Sequence, residues 1–410
     1  MNKIILYQDV FRILLGLIAF SLPFSIFANS FCIALLIVFF IAYIPKLKGR
    51  NFYSSIALLP IFFLMHLIGL LYTSNIREGM FQLEVKQTLF IFPVIFLFSS
   101  NIIKLNIEFI IRCFVKAVYV ASFICIVFAF FMFFKTNDIV VFQREELTSA
   151  LRFHPIYFSL FIGATIVIEN DRLRRWRQLN LKSLILNIVS ILFLLSFNIL
   201  LSAKMPLFAL VLGMIVYIIL IIRSLIYKSI IIIFILISSV CSIIFIPFIS
   251  KQFNTIANSR LYFSVEENNA NSLTLRLVKW QCSLEGIREN FFVGLGTGDA
   301  QDYLQVCYVR KNFWGSVFKY NSHNEYLSIG LRLGLIGFSV FVFSIIGILS
   351  ESKSNPVFFS IILLIAICFL TESMLSTQKG VVFFSLITSL SYWAAKNVFV
   401  EDNTSNNKMV

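Results

Sequence analysis

The chain predicts an all-α polytopic membrane protein with about twelve transmembrane helices and one large extracytoplasmic loop that itself contains helix. Composition is the first ground. Of 410 residues, 59% are hydrophobic and 13% charged, with a mean hydropathy of +0.90. A soluble domain carries about 25% charged residues. The second ground is recurrence: apolar runs fall at 11–27, 29–45, 54–72, 86–100, 110–134, 153–170, 183–201, 205–222, 229–248, 325–349, 357–371 and 381–399. Most are long enough to cross about 30 Å of hydrocarbon as a helix, the form that satisfies every backbone polar group there. The third is the placement of charge. The net +14 gathers in short connectors: Lys46, Lys48 and Arg50; Lys104, Arg112 and Lys116; Arg172, Arg174, Arg175, Arg177 and Lys182. Basic residues beside span ends hold those connectors in the cytoplasm, so the charge reads as a topology signal and no nucleic-acid partner is expected.

With the amino terminus inside, alternation puts connectors 46–50, 101–110, 171–182, 223–228 and 351–355 in the cytoplasm, together with the carboxyl terminus. Segments 73–86, 135–152, the Ser202–Lys204 corner, 250–322 and 372–380 fall outside. Residues 1–249 then hold nine spans, 250–322 the loop, 323–400 three further spans and 401–410 a cytoplasmic tail, read as disordered from Thr404. No cleavable signal peptide is evident, because the first run leads directly into the second through Asn29. Seven cysteines lie mostly in apolar runs. Only Cys282 and Cys307 fall in the loop, where they either pair or remain thiols.

The loop carries eight Lys/Arg and six Asp/Glu, and a structureless loop of such length is unusual. Leu273, Leu277, Trp280, Leu284 and Ile287 have helical spacing, and Gly294, Gly296 and Gly298 permit a turn after that helix. Cationic and titratable residues on the outer side are the candidates for chemistry: Arg152, His154, Lys204, Arg276, Lys279, Arg288 and His323. Arg276, Lys279 and Trp280 share one helix face, and outward-facing cations suit a diphosphate. Each has a plainer reading: Arg288 and Lys279 as solvated side chains, Lys204 snorkelling to the interface, His154 capping a helix ahead of Pro155. His323, followed by Asn324 where the loop meets a span, is the candidate base, since a neutral imidazole accepts a proton from a hydroxyl. No metal-ligand spacing, P-loop or Gly-x-Ser-x-Gly occurs. The outer connector at Ala28–Asn29 has no carboxylate to hold a metal, and no cofactor is implied.

The motifs Arg276…Trp280, Gly294-Leu295-Gly296, His323-Asn324-Glu325-Tyr326-Leu327 and Gly334-Leu335-Ile336-Gly337 resemble, in order and spacing, the O-antigen ligase family. Arg152-Phe153-His154-Pro155 and Ser202-Ala203-Lys204 match its mid-chain motifs more loosely. Lys204 stands where the family commonly has Arg, Phe291 where it often has Pro, and Arg332 where it often has Glu. The resemblance implies a GT-C-like, metal-independent, inverting glycosyltransferase at the periplasmic face of the bacterial inner membrane. Its donor is an undecaprenyl-diphosphate-linked glycan and its acceptor lipid A-core. Arg276, Lys204, Arg152 and Arg288 would hold the diphosphate, His323 and Arg276 would be catalytic, and Asn324, Trp280 and Lys279 supporting. The same resemblance leaves open a repeat-unit polymerase, with a lipid-linked glycan as acceptor. A flippase would need ionisable residues deep in the spans or two related halves. Lys116, Asn187 and Asn198 are the polar candidates, and no half-repeat is visible.

Overall fold

The computed structural model describes residues 2–43, 54–99, 105–174, 180–245 and 272–406. The expected basic residues Lys46, Lys48, Arg50, Lys104, Arg175 and Arg177, the loop up to residue 271 and the end from 407 lie outside the described residues. The helices are α1 (Asn2–Ser21), α2 (Ile26–Tyr43), α3 (Leu58–Gly69), α4 (Ile76–Lys86), α5 (Thr88–Ser99), α6 (Ile107–Thr136), α7 (Arg144–Leu147), α8 (Pro155–Arg174), α9 (Leu181–Leu201) and α10 (Lys204–Ile221). They continue with α11 (Leu225–Phe245), α12 (Ser272–Glu289), α13 (Ala300–Arg310), α14 (Glu325–Glu351), α15 (Pro356–Cys368) and α16 (Gln378–Asn406). No strand occurs among the described residues.

Among the described residues, each predicted apolar run overlaps a helix, and the run 11–27 spans the turn between α1 and α2. Five helical stretches among the described residues are long and apolar enough to cross a membrane: Ile76–Ser99, Ile107–Thr136, Leu181–Leu201, Lys204–Ile221 and Glu325–Ser354. Among the described residues the regular structure is all helical, with apolar helices that fit an integral membrane protein, and α16 continues to Asn406, into the stretch read as a tail. Asparagines set many of the helix starts. Asn75, Asn106, Asn180, Asn324 and Asn355 each accept, through the side chain, a backbone N–H in the first turn of the helix that follows, satisfying a donor that has no partner within the helix. One core runs through the bundle, with α1 against α6, α3 against α14, α5 against α16, and α8 and α15 against α10.

The stretch 73–86, expected as an outer connector, is instead largely helix α4, which runs into α5 across Gln87 in helical conformation. Asn75 caps it by accepting from Glu78 N–H at 3.0 Å. Leu83, Val85 and Lys86 are buried, while Arg77 and Glu84 are exposed. The charges hide the helix from a reading based on hydropathy.

Past the bundle, α12 and α13 build a second core. Ala300, Leu304, Cys307 and Tyr308 line one face of α13, at spacings of a helical stripe, and meet Val278 and Cys282 of α12. Leu284, expected on the apolar face of this helix, is exposed. Cys282 and Cys307 form a disulfide with Cα atoms 5.8 Å apart, which settles the alternative left open above.

This small unit is joined to the bundle through the glycine turn. Gly334 takes φ 62° and ψ −162° and breaks α14. Across the break, Leu295 N–H donates to Leu331 O at 2.9 Å, Gly296 N–H to Arg332 O at 3.0 Å and Leu335 N–H to Phe291 O at 2.8 Å. Gly294 sits at φ 72°, where a Cβ would lie 2.5 Å from the Arg332 and Gly334 backbone. The other side of the turn is held by α3, with Thr297 Oγ1 donating to His66 O at 2.6 Å. The Gly-x-Gly motif is therefore a backbone joint between the turn and α14.

Gly294→Ala is expected to lower stability by at least about 1–3 kcal/mol through left-handed strain alone, with the backbone clash adding to it. A thermal melt in detergent checks this. Cys307→Ser is expected to lose about 2–4 kcal/mol, and the same melt should show wild type losing comparable stability under reductant while the variant does not respond.

Candidate functional site

The candidate site lies at the end of the bundle where α8, α10 and α14 begin and α9 and α15 end. His323 is held in place by its backbone. It adopts φ 44°, and its N–H donates to Asn321 Oδ1 at 2.9 Å. Its carbonyl accepts from Trp280 Nε1 at 3.4 Å, and the next residue, Asn324, caps α14 by accepting from Leu327 N–H at 3.0 Å. Asn324 and Trp280 thus support the histidine rather than face the cleft.

The imidazole Nδ1 lies 3.0 Å and 3.2 Å from the two carboxylate oxygens of Glu372. Burial pushes the Glu372 carboxyl up. The hydrogen bond and charge of His323, with the charges of Arg276 and His154, outweigh that and leave it below its ordinary value. An ionised carboxylate only accepts, so in this contact Nδ1 carries the proton, and when the ring is neutral Nε2 is the nitrogen left to accept one. Glu372 also faces Arg276, with Nη2 4.0 Å from Oε2. One buried carboxylate therefore orients the candidate base and partly neutralises the nearest cation.

Arg276 links this pair to a cleft of about 450 Å³, whose wall includes neither His323 nor Glu372. Its wall includes Arg276 from α12, His154 ahead of α8, Lys204 at the start of α10, and Arg144, Glu145 and Glu146 of α7. Ser202, left-handed at φ 55°, ends α9 and turns the chain so that Lys204 opens α10 at the cleft. Arg144 and Arg276 both act on Lys204, so like charges converge on an open volume. Arg276 is held down from its ordinary value by burial, which Glu372 partly offsets. Cations kept close against mutual repulsion and desolvation suit a multiply charged anion.

The structure brings His323, Arg276, Lys204, Lys279, Trp280 and Asn324 to this end. It does not bring Arg152 or Arg288 to the cleft. Arg152 is exposed, at φ 46°, outside the cleft wall. Arg288 is exposed in the last turn of α12, roughly 18 Å along the helix from Arg276 at 1.5 Å per residue. His154 accepts weakly from Ile156 N–H at 3.4 Å, the capping role foreseen for it, while also lining the cleft. Two residues escaped notice in the sequence. Glu372 closes an apolar run as the carboxylate of a short outer connector, a signal that was present and unused. Arg144 sits among glutamates in segment 135–152, with nothing to single it out.

Lys279 is buried, with Nζ 3.7 Å from the Tyr320 ring centroid. Burial pushes its ammonium down, Glu372 raises it and Arg276 lowers it, leaving it at about 8 against an ordinary 10.5. Between those values the unfolded chain binds more protons at this site, so the Lys279 contribution to stability rises with pH through that window. Lys279→Met should flatten the increase in stability between pH 8 and 10, as read from melts of both proteins across the range.

A family model described as O-Antigen ligase matches residues 188–342, less than half of the chain. The matched stretch contains Lys204, Arg276, Lys279, Trp280, His323 and Asn324, while Arg144, His154 and Glu372 lie beyond it. No curated protein matches the chain. The motifs read from the sequence and the matched stretch coincide, and the matched residues meet at one end of an apolar helical bundle, so that over residues 188–342 the chain is similar to the O-antigen ligase family.

Proposed function

We propose that the protein is a metal-independent, inverting glycosyltransferase that moves an undecaprenyl-diphosphate-linked glycan onto lipid A-core at the periplasmic face of the bacterial inner membrane. The observation that carries this reading is the single cluster of a hydrogen-bonded His323–Glu372 pair beside a cleft walled by Arg276, Lys204 and Arg144. A base next to a cationic anion site is what glycosyl transfer from a diphosphate requires. The acceptor hydroxyl oxygen attacks the anomeric carbon from the face opposite the diphosphate, and its proton passes to His323 Nε2. The bond from the anomeric carbon to the phosphate oxygen breaks, and undecaprenyl diphosphate leaves with the electron pair. Arg276 and Lys204 stabilise the charge that develops on it. Glu372 holds the imidazole in the required tautomer and stabilises the imidazolium that forms.

The placement of the site outside the cytoplasm is supported by two independent features. Among the described residues, Arg172, Arg174, Lys182 and Arg223 lie at the ends of α8, α9 and α10 away from the cleft, and the Cys282–Cys307 disulfide next to the site suits an oxidising compartment. Twelve spans with both termini in the cytoplasm follow from the same alternation. The polymerase reading uses the same donor and chemistry and differs in the acceptor. Arg332, whose departure from the family pattern hinted at a different acceptor, is buried and donates to Thr297 O at 2.7 Å. That bond makes it part of the glycine joint.

The test is lipopolysaccharide from a deletion strain carrying wild type, His323→Ala, Glu372→Gln or Arg276→Ala, on a glycan-stained gel. Loss of every band above lipid A-core is expected in the deletion, with no rescue by His323→Ala or Arg276→Ala. Glu372→Gln keeps a hydrogen-bonding partner but not the charge and should transfer about 10²-fold more slowly or worse, within the usual worth of positioned acid–base groups. A single repeat unit still reaching the core would assign the polymerase reading. Wild-type ladders from all three variants would show that the site lies elsewhere.

A further inference from the structure

Behind the cleft lies a group of buried charges that the transfer chemistry does not use. Glu325, the first residue of α14, is 1% exposed, and Lys86 at the end of α4 is equally hidden. Arg332, two turns further along α14 and just before the break at Gly334, is 4% exposed. The charges of Lys86 and Arg332 reach the Glu325 carboxylate, and so does that of Glu372. Lys86 Nζ donates to Gln82 Oε1 at 2.7 Å, and Gln82 Nε2 to Glu78 Oε1 at 2.8 Å. Buried ionic groups in a membrane bundle are costly, and removing one partner is more destabilising than removing both. Their persistence here calls for a task.

The contacts of Glu325 supply that task. Its backbone N–H donates to Phe369 O at 2.8 Å, and its carboxylate Oε2 accepts from Leu375 N–H at 2.7 Å. Those two bonds bracket the segment that carries Glu372. The same residue follows His323 and Asn324 directly in the chain. Glu325 therefore ties the start of α14, where the imidazole is held, to the connector that presents the carboxylate opposite it.

We propose that Glu325 is a positioning residue that sets the distance between His323 and Glu372 by holding the 369–375 connector, with Lys86 as the counter-charge that allows its carboxylate to be buried. The proposal rests on the reading of His323 and Glu372 given above. The hydrogen-bond acceptor at Leu375 does the positioning, and the charge is compensated separately. The two functions are separable by substitution.

The experiment measures glycan transfer from undecaprenyl-diphosphate glycan by the purified full-length protein, with a thermal melt of each sample. Glu325→Gln/Lys86→Met is charge-balanced and keeps the acceptor; its kcat is expected within threefold of wild type. Glu325→Leu/Lys86→Met is equally balanced but lacks the acceptor, and its kcat should fall at least tenfold while the donor KM moves less than threefold. Equal kcat values for the two double variants, whether both high or both low, would overturn the proposal. Glu325→Gln alone guards against a fold defect in the leucine variant. It should melt below wild type, because Lys86 is left uncompensated, yet keep its kcat, and a tenfold loss in this variant would also overturn the proposal. His323→Ala, assayed alongside, separates the two levels. Wild-type turnover in that variant sinks the reading of the site, whereas an inactive His323→Ala beside a fully active Glu325→Leu/Lys86→Met sinks the positioning role alone.

Discussion

The contact between His323 Nδ1 and Glu372, 3.0 Å long and spanning 49 residues of sequence, is what the rest of the site depends on. Neither group acts alone. Without the carboxylate the ring has no preferred tautomer, and without the ring and Arg276 the carboxylate would be a buried charge with little to offset its desolvation. The fold supplies each side of the contact by a different device. A left-handed backbone at His323 and the Asn324 cap fix the imidazole at the mouth of α14. The ends of α15 and the connector after it bring the carboxylate across.

That geometry is possible because backbone joints carry the load between the bundle and the disulfide-bonded unit of α12 and α13. The turn at 294–298 is stitched to the break at Gly334 and to the end of α3 by main-chain hydrogen bonds, and Arg276 reaches the cleft from a helix that this joint holds in place. Positive φ at Gly294, Gly296 and Gly334 and the absence of any room for a Cβ explain why the motif needs glycine, with no ligand in the account. Interiors of close-packed side chains transmit such restraints with little give.

Much of this was legible in the sequence. The apolar runs located the helices that carry them, because in hydrocarbon a helix must satisfy its own backbone and must be long. The three- and four-residue spacing of Arg276, Lys279 and Trp280 placed them on one face, and His323 stood out as one of only three histidines. Other parts were hidden for physical reasons. The helix of α4 is masked by Arg77, Glu78, Glu84 and Lys86, whose burial or exposure depends on what packs against them and not on local pattern. Arg288 looked like a member of the cation cluster, yet helical rise carries it away from Arg276. Arg152 and Arg144 are alike in sequence terms, and only tertiary folding of segment 135–152 decides which lines the cleft. Arg332, a departure from the family pattern, proved to be a partner of Thr297 O.

The central claim is that Glu372 holds His323 with its proton on Nδ1 and its Nε2 free to take one. With three histidines in the chain, histidine-labelled protein gives a spectrum simple enough for nitrogen NMR, with His66 and His154 assigned by substitution. The account predicts that, at a pH where the ring is neutral, His323 is protonated at Nδ1 and bare at Nε2, and that Glu372→Gln weakens this preference. A His323 ring protonated at Nε2 and bare towards Glu372 would contradict it.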